Sequence, residues 1–346
     1  MAVSPDDAVV ALAYVQRQPQ AANISEVRLA VCAAPDAASC SARPVGLTQA
    51  MPALRPGEAP AVALGPGRAP RVAYVQRNAD GSAAVRLVVC ADLACAAPSA
   101  VTVWSSPQAL LFVSLVPLPP PMVAAVAFQD VNFGVLRIGY CELAGPCTTH
   151  LADGVGFDDD AGAHARLLAH PSTQQPVALY VEARTRTLRT AVCESPTRCA
   201  SPSVAVVANL TAAAPITQPL AHARLAADGR LVAVVWPPGA DGWPRLLRCA
   251  SPACTTPEWL DLPQLLPYCS PVMDLALDAD LQPTLVCASL DTGRHTVVRC
   301  AQPECTRFTA RALEPASFRL AAGPSANALA APGPHPWVAW DSYGLV

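Results

Sequence analysis

The chain has 346 residues, 52% of them hydrophobic, only 14% charged, and a net charge of −3. That is ample material for a packed core and excludes a disordered chain, while the near-neutral balance gives no electrostatic footprint for nucleic acid or acidic lipid. All 23 basic residues are arginine, so no lysine Schiff base or lysine nucleophile is available, and no apolar run approaches the length of a membrane-spanning helix.

The predicted elements begin near the N-terminus, where Met1 to Asp7 lacks the basic and apolar segments of a signal peptide. A leader removed beforehand, or lying outside this numbering, is therefore expected. The first apolar strand is VALAYVQ (10–16), followed by EVRLAVC (26–32). The pair returns as RVAYVQR (71–77) and AVRLVVC (84–90), as VAAVAFQD (123–130) and VLRIGYC (135–141), and as PVALYVEA (176–183) and TLRTAVC (187–193). Two further copies are LVAVVW (231–236) with PRLLRC (244–249), and PTLVCAS (283–289) with HTVVRC (295–300); PWVAWDS (336–342) closes the chain. An alternating strand precedes most copies, as in AHARLLAH (163–170) and AHARLAAD (221–228), and a more polar one follows, as in AVTVW (100–104).

One unit therefore has four strands, A to D, and a period near 50. That combination predicts an all-β propeller of four-stranded antiparallel blades. Six blades are expected, with seven as the alternative: near 8–50, 51–105, 106–157, 158–212, 213–265 and 266–315, with closing strands in 316–346, all in one domain. The N-terminus is expected to open on strand B, and SFRLAAGP (317–324) to supply a late strand A. Strand B carries a recurrent bulky position, Tyr14, Tyr74, Phe128, Tyr180, Trp236, Cys287 and Trp340, read as core filling between blades.

Twelve of the 14 cysteines fall in close pairs after strand C: Cys32/Cys40, Cys90/Cys95, Cys141/Cys147, Cys193/Cys199, Cys249/Cys254 and Cys300/Cys305. Each pair stands alone without a histidine partner, which favours a disulfide across the C–D hairpin over a zinc site. Loops this short stabilise by roughly 2 kcal/mol each. Their expected task is to pin the outer hairpin where it borders solvent. Cys269 and Cys287 lie outside the pattern and are expected to form a seventh bond. The disulfides imply an oxidising compartment, so the chain is placed outside the cell or on its surface.

Catalytic signatures are sparse. Nucleophile elbows, zinc-protease motifs, P-loops and dinucleotide fingerprints are absent from the sequence. The run Asp158 to Asp160 lacks the spacing of a calcium loop and is read as a solvated acidic loop. No metal and no cofactor is implied. The one constellation that stands out is on strand A, the innermost strand of a blade. His164-Ala165-Arg166 and His222-Ala223-Arg224 repeat the same tripeptide. Aligned positions hold Phe112 and Ser114, Asp274 and Ala276, and Ser317 and Arg319. His164, Arg166, His222, Arg224, Asp274 and Arg319 are thus candidate ligand-binding residues of a central channel. Arginines there suit a carboxylate, sulfate or phosphate group. Asn23 and Asn209 head glycosylation sequons.

The segment RVAYVQRNADGSAAVRLVVCADLAC (71–95) resembles the blades of secreted propellers of the sialidase-like group. The chain lacks the Asp-box, S-x-D-x-G-x-x-W, so the resemblance implies the fold and not sialidase chemistry. On these grounds the expected function is a non-enzymatic extracellular binding or scaffold module. Its partner is a protein or a glycan, with self-assembly through the terminal strand as a further route. The alternative is a carbohydrate-active hydrolase or lyase acting at the channel. A hydrolase needs a second carboxylate beside the first, and the sequence places only Asp274.

Overall fold

The computed structural model describes residues 2–3, 9–17, 24–33, 40–49, 59–142, 145–154, 159–210, 221–235, 244–265, 273–278, 280–288, 295–312, 328–330 and 337–339. The fold is all-β. Its only helical turns among the described residues are the three-residue 3-10 turns Pro66–Arg68 and Pro263–Leu265.

The repeats become antiparallel sheets of four strands in chain order. The first holds β1 (Ala2–Val3), β2 (Val9–Arg17), β3 (Ile24–Ala33) and β4 (Cys40–Gln49). The second holds β5 (Ala61–Leu64), β6 (Pro70–Arg77), β7 (Ala83–Val89) and β8 (Ser99–Ser106). The third holds β9 (Leu110–Pro117), β10 (Met122–Asp130), β11 (Val135–Glu142) and β12 (Cys147–Asp153). The fourth holds β13 (Ala161–Ala169), β14 (Pro176–Glu182), β15 (Thr187–Val192) and β16 (Ser203–Asn209). The fifth holds β17 (Ala221–Leu225), β18 (Leu231–Val235), β19 (Arg245–Cys249) and β20 (Pro257–Asp261). The sixth holds β21 (Met273–Leu277), β22 (Pro283–Ala288), β23 (His295–Cys300) and β24 (Phe308–Ala312). A two-stranded sheet of β25 (Ala328–Ala330) and β26 (Trp337–Ala339) follows.

Two expectations about the termini change. The first sheet does have its own strand A: Ala2 and Val3 pair with Ala11 and Val10. The strand before the last repeat is Ala328–Ala330, which pairs with Trp337–Ala339, while 317–324 lies outside the described residues.

Middle strands are buried on both faces, as β14 and β18 are throughout, because neighbouring sheets cover them. Outer strands alternate toward water, leaving Leu47, Leu151 and Val206 exposed. In the first four sheets the outer pair carries a β-bulge beside an arginine of strand C: Arg28, Arg86, Arg137 and Arg189. The bulge turns Val45, Val103, Ala152 and Val207 inward, and all four are buried.

The recurrent bulky position of strand B is core in Tyr74, Phe128, Tyr180 and Cys287. Trp236 and Trp340 lie outside the described residues, and the strand register gives that position in the fifth sheet to Val235: it lies four residues beyond Leu231, the partner of Cys249, as Tyr180 lies four beyond Pro176, which hydrogen-bonds Cys193.

All six expected disulfides are formed. Their placement corrects the expectation of staples across the C–D hairpin at the solvent border. Only Cys32–Cys40 and Cys141–Cys147 join residues that pair directly between strands C and D. Cys95, Cys199, Cys254 and Cys305 lie instead in the loop before strand D. Cys95, Cys199 and Cys305 are also wholly buried, at 0% exposure, so they do not border solvent. The physical reason is that a bonded sulfur is uncharged and packs as an apolar group. Cys95 joins the core that holds Val72 and Val88, Cys199 the core of Ala178 and Ala191, and Cys305 that of Leu262 and Leu265. Tight turns aim two of them inward: the Cys95 N–H donates to the Asp92 carbonyl at 3.1 Å, and the Cys305 N–H to that of Gln302 at 3.0 Å. These bonds therefore anchor a loop into the core rather than clamp a hairpin at the rim.

Cys287 is also disulfide-bonded, whereas Cys269 lies outside the described residues. The loops between paired cysteines also join sheets: Thr190 Oγ1 donates to the Ala253 carbonyl at 2.8 Å, and Arg248 meets Glu304 at 2.9 Å. No described helix is long and apolar enough to cross a membrane.

Candidate functional site

The inner strands pack in series: β5 on β9, β9 on β13, β13 on β17, β17 on β21 and β21 on β25. A hydrogen bond from the Leu167 N–H to Ser114 Oγ, 2.9 Å, ties β13 to β9. This series is where the sequence placed its candidate residues, and the register redraws which of them correspond.

In the third to sixth sheets, Ser114, Arg166, His222 and Asp274 lie opposite Ala127, Leu179, Val234 and Val286. Each of these partners lies one residue before the recurrent bulky position of its strand B, Phe128, Tyr180, Val235 and Cys287, so the four positions are equivalent. The two H-A-R tripeptides are therefore not in register. His222 corresponds to Arg166, and Arg224, opposite Val232, corresponds to Leu168. The displacement has a local cause: β13 is irregular between Ala161 and Ala163 and between Ala163 and Arg166, with Gly162 at φ 102° and His164 at φ 56°. β9 does the same at Phe112, φ 54°. His164 thus pairs with Phe112, and their rings stack at 4.4 Å with a 47° tilt. Sequence alignment could not detect this, because a bulge shifts register without changing the tripeptide.

Both histidines are buried, His164 at 8% and His222 at 6% exposure. Burial, with the Arg166 charge and His222 nearby, lowers the His164 pKa to about 3, so its imidazole is neutral at physiological pH. Arg224 turns a guanidinium N–H back to the Ala223 carbonyl at 3.0 Å. Arg319 lies outside the described residues, as does Asn23, while Asn209 is exposed at the end of β16.

A second cluster stands at the mouth of β13, and only half of it was singled out from sequence. Asp160 immediately precedes the strand. It is half-buried rather than solvated, which corrects the reading of the Asp158 to Asp160 run; Asp158 itself is outside the described residues. Gln129 Nε2 donates to Asp160 Oδ1 at 2.6 Å. The Asp160 N–H donates to Glu182 Oε1 at 3.3 Å. Burial and the neighbouring Glu182 charge both push the Asp160 carboxyl above the ordinary range.

Glu182 is fixed in the opposite sense. Burial pushes it up, but donors from Thr185 and the N–H groups of Arg184, Thr185 and Asp160 outweigh that and hold it below the usual carboxylate range. Arg189 lies 3.5 Å away. Strand B ends signalled this position weakly. Gln16 and Gln76 occupy it in AYVQ, and it turns acidic at Asp130 and Glu182. Asp130 is spoken for by Trp104 at 2.9 Å, Arg137 at 3.1 Å and Ser106 at 3.2 Å, which makes it a seam between sheets. Among the described residues no group of three His, Cys, Asp or Glu is arranged to hold a metal ion.

No family model matches the chain, and no curated protein matches it. The sialidase-like resemblance therefore has no support at the level of sequence families. Solved structures do match. A puromycin hydrolase is 14% identical with a TM-score of 0.51; the match covers 87% of this chain and 45% of that one, so the chain spans less than half of it. AofleA from Arthrobotrys oligospora is 8% identical with a TM-score of 0.50, covering 90% and 85%. A GH43 β-1,3-galactosidase is 10% identical with a TM-score of 0.42, covering 83% and 94%. At these identities the likeness is one of fold, of the propeller type. The expectations of a non-enzymatic binding or scaffold module, and of a chain that is not an enzyme, are corrected here: a hydrolase, the puromycin hydrolase, stands among the structures that share this fold.

Proposed function

We propose that this protein is an extracellular carbohydrate-active hydrolase whose reaction centre lies at the mouth of β13. One observation carries the reading. Asp160 and Glu182 are neighbouring carboxyl groups driven apart in acidity, the first held toward its protonated form and the second toward its anion. Pairs of this kind divide acid and charge-stabilising roles in glycoside hydrolysis. Asp160 is the proton donor to the leaving oxygen. Glu182, gripped by Thr185 and Arg189, is the fixed negative charge that keeps the donor protonated. Gln129 aims the acid. The six disulfides support the extracellular assignment.

The same reading takes the sheets as blades of one propeller. β25 packs on β21 and β22 as each inner strand packs on its predecessor, which supports β25 and β26 as a shortened seventh blade.

The test is release of reducing ends from a panel of neutral and acidic oligosaccharides. The intact protein is expected to cleave at least one class. Asp160→Asn is expected to lower the rate roughly 10²–10⁴-fold, the usual worth of a general acid. Cleavage at an unchanged rate by the variant removes Asp160 from the mechanism.

A further inference from the structure

We propose, resting on the carbohydrate-active reading, that the substrate is an acidic oligosaccharide. Its carboxylate or sulfate is held by Arg166 and His222, several sugar units from the bond cleaved at Asp160.

The argument begins with register. Arg166 and His222 occupy equivalent positions on inner strands that pack against each other, so the fold sets a guanidinium and an imidazole at one level. Asp274 has the equivalent position on the next inner strand, and Ser114 on the previous one. A guanidinium offers a planar fork of donors matched to carboxylate and sulfate oxygens, and an imidazole adds a further donor. The level differs from its surroundings: the neighbouring equivalent level holds Val116, Leu168 and Ala276, with Arg224 the one polar member.

Asp160 lies beside Ala183 and Arg166 opposite Leu179, and the two irregularities of β13 shorten the span between them to four positions of the partner strand, roughly 13 Å. A monosaccharide cannot bridge that span. An oligosaccharide can, with its anionic group at Arg166 and its scissile bond at the strand mouth.

The experiment is titration calorimetry with three oligosaccharides of one backbone: a uronate form, its carboxyl-reduced neutral form and a sulfated form. The intact protein is expected to bind one acidic form at least tenfold more tightly than the neutral one, and which acid wins identifies the anion. Arg166→Ala and Arg166→Gln, each checked for native circular dichroism, are expected to abolish that preference. Arg224→Ala, out of register, is expected to keep it. Asp160→Asn is expected to keep the preference while losing cleavage. Equal binding of all three forms by the intact protein overturns the proposal, as does a preference that survives both Arg166 variants. If Asp160→Asn cleaves normally while the Arg166 variants lose the preference, the hydrolytic assignment of Asp160 fails and the anion subsite stands.

Discussion

Tyr180 donates its hydroxyl hydrogen bond to Asp153 Oδ2 at 2.5 Å, across the seam between the fourth and third sheets. Arg189 reaches the same carboxylate at 2.9 Å. Burial and the Asp153 charge raise the Tyr180 pKa, so the phenol stays a donor. Tyr180→Phe is therefore expected to destabilise by about 1–2 kcal/mol, the worth of a hydrogen bond to a charged group when one donor remains. The urea midpoint reads this directly, and an unchanged midpoint contradicts the seam assignment.

His164 predicts the acid response. Its folded pKa, about 3, lies below the ordinary histidine value, so the unfolded chain binds the extra proton first. Stability from this group is present above pH ~6.5 and is lost as pH falls toward 3, at about 1.4 kcal/mol per pH unit. His164→Gln removes that slope. Denaturant titrations at several pH values between 3 and 7 should show the wild type losing more stability than the variant, and parallel losses contradict it.

Asp160 carries the opposite sign. A carboxyl whose folded pKa is raised contributes stability below its unfolded value, and loses it as pH rises through the folded one. Asp160→Asn should therefore melt higher than wild type at pH 7 and no higher at pH 3, while losing activity. Such a trade is expected where a charge is held for chemistry rather than for packing. A variant less stable at pH 7 would make Asp160 structural.

The Cys249–Cys254 loop holds the Ala253 carbonyl to Thr190 of the preceding sheet. Replacing both cysteines by serine should cost about 2 kcal/mol from chain entropy. Thr190→Val, which leaves the loop closed, should cost about 1 kcal/mol by loss of the hydrogen bond alone. Thermal melts separate the two, and equal costs contradict the division.

Much of the architecture was legible because it repeats. Strand C copies such as AVRLVVC and TLRTAVC mark sheet number, strand order and disulfide pairing together. What did not show was anything that depends on register or on the direction a loop turns. Cys95, Cys199 and Cys305 were paired correctly, yet spacing alone could not tell a hairpin staple at the rim from a loop folded into the core. The matching tripeptides at His164 and His222 looked equivalent, but the irregularities around Gly162 and His164 offset them by two residues. Val235 takes the place that Trp236 suggested, because the fifth repeat is one residue longer between that position and its cysteine: Val235 pairs with Arg245, four before Cys249, as Tyr180 pairs with Arg189, four before Cys193. Glu182 reads from sequence only as part of the strand PVALYVEA (176–183), since its meaning comes from Asp160 across the sheet and not from its neighbours in sequence. The short strand Ala2–Val3 has too few residues to show a pattern at all.

The pH dependence of kcat/KM for oligosaccharide cleavage, measured for wild type and Glu182→Gln, tests the central claim most directly. Burial and Glu182 together raise the pKa of Asp160, so the alkaline limb of the wild-type profile should lie above the ordinary carboxylate range. Removing the Glu182 charge should move that limb to lower pH while burial keeps part of the shift. A limb that does not move on Glu182→Gln contradicts the assignment of Asp160 as the acid.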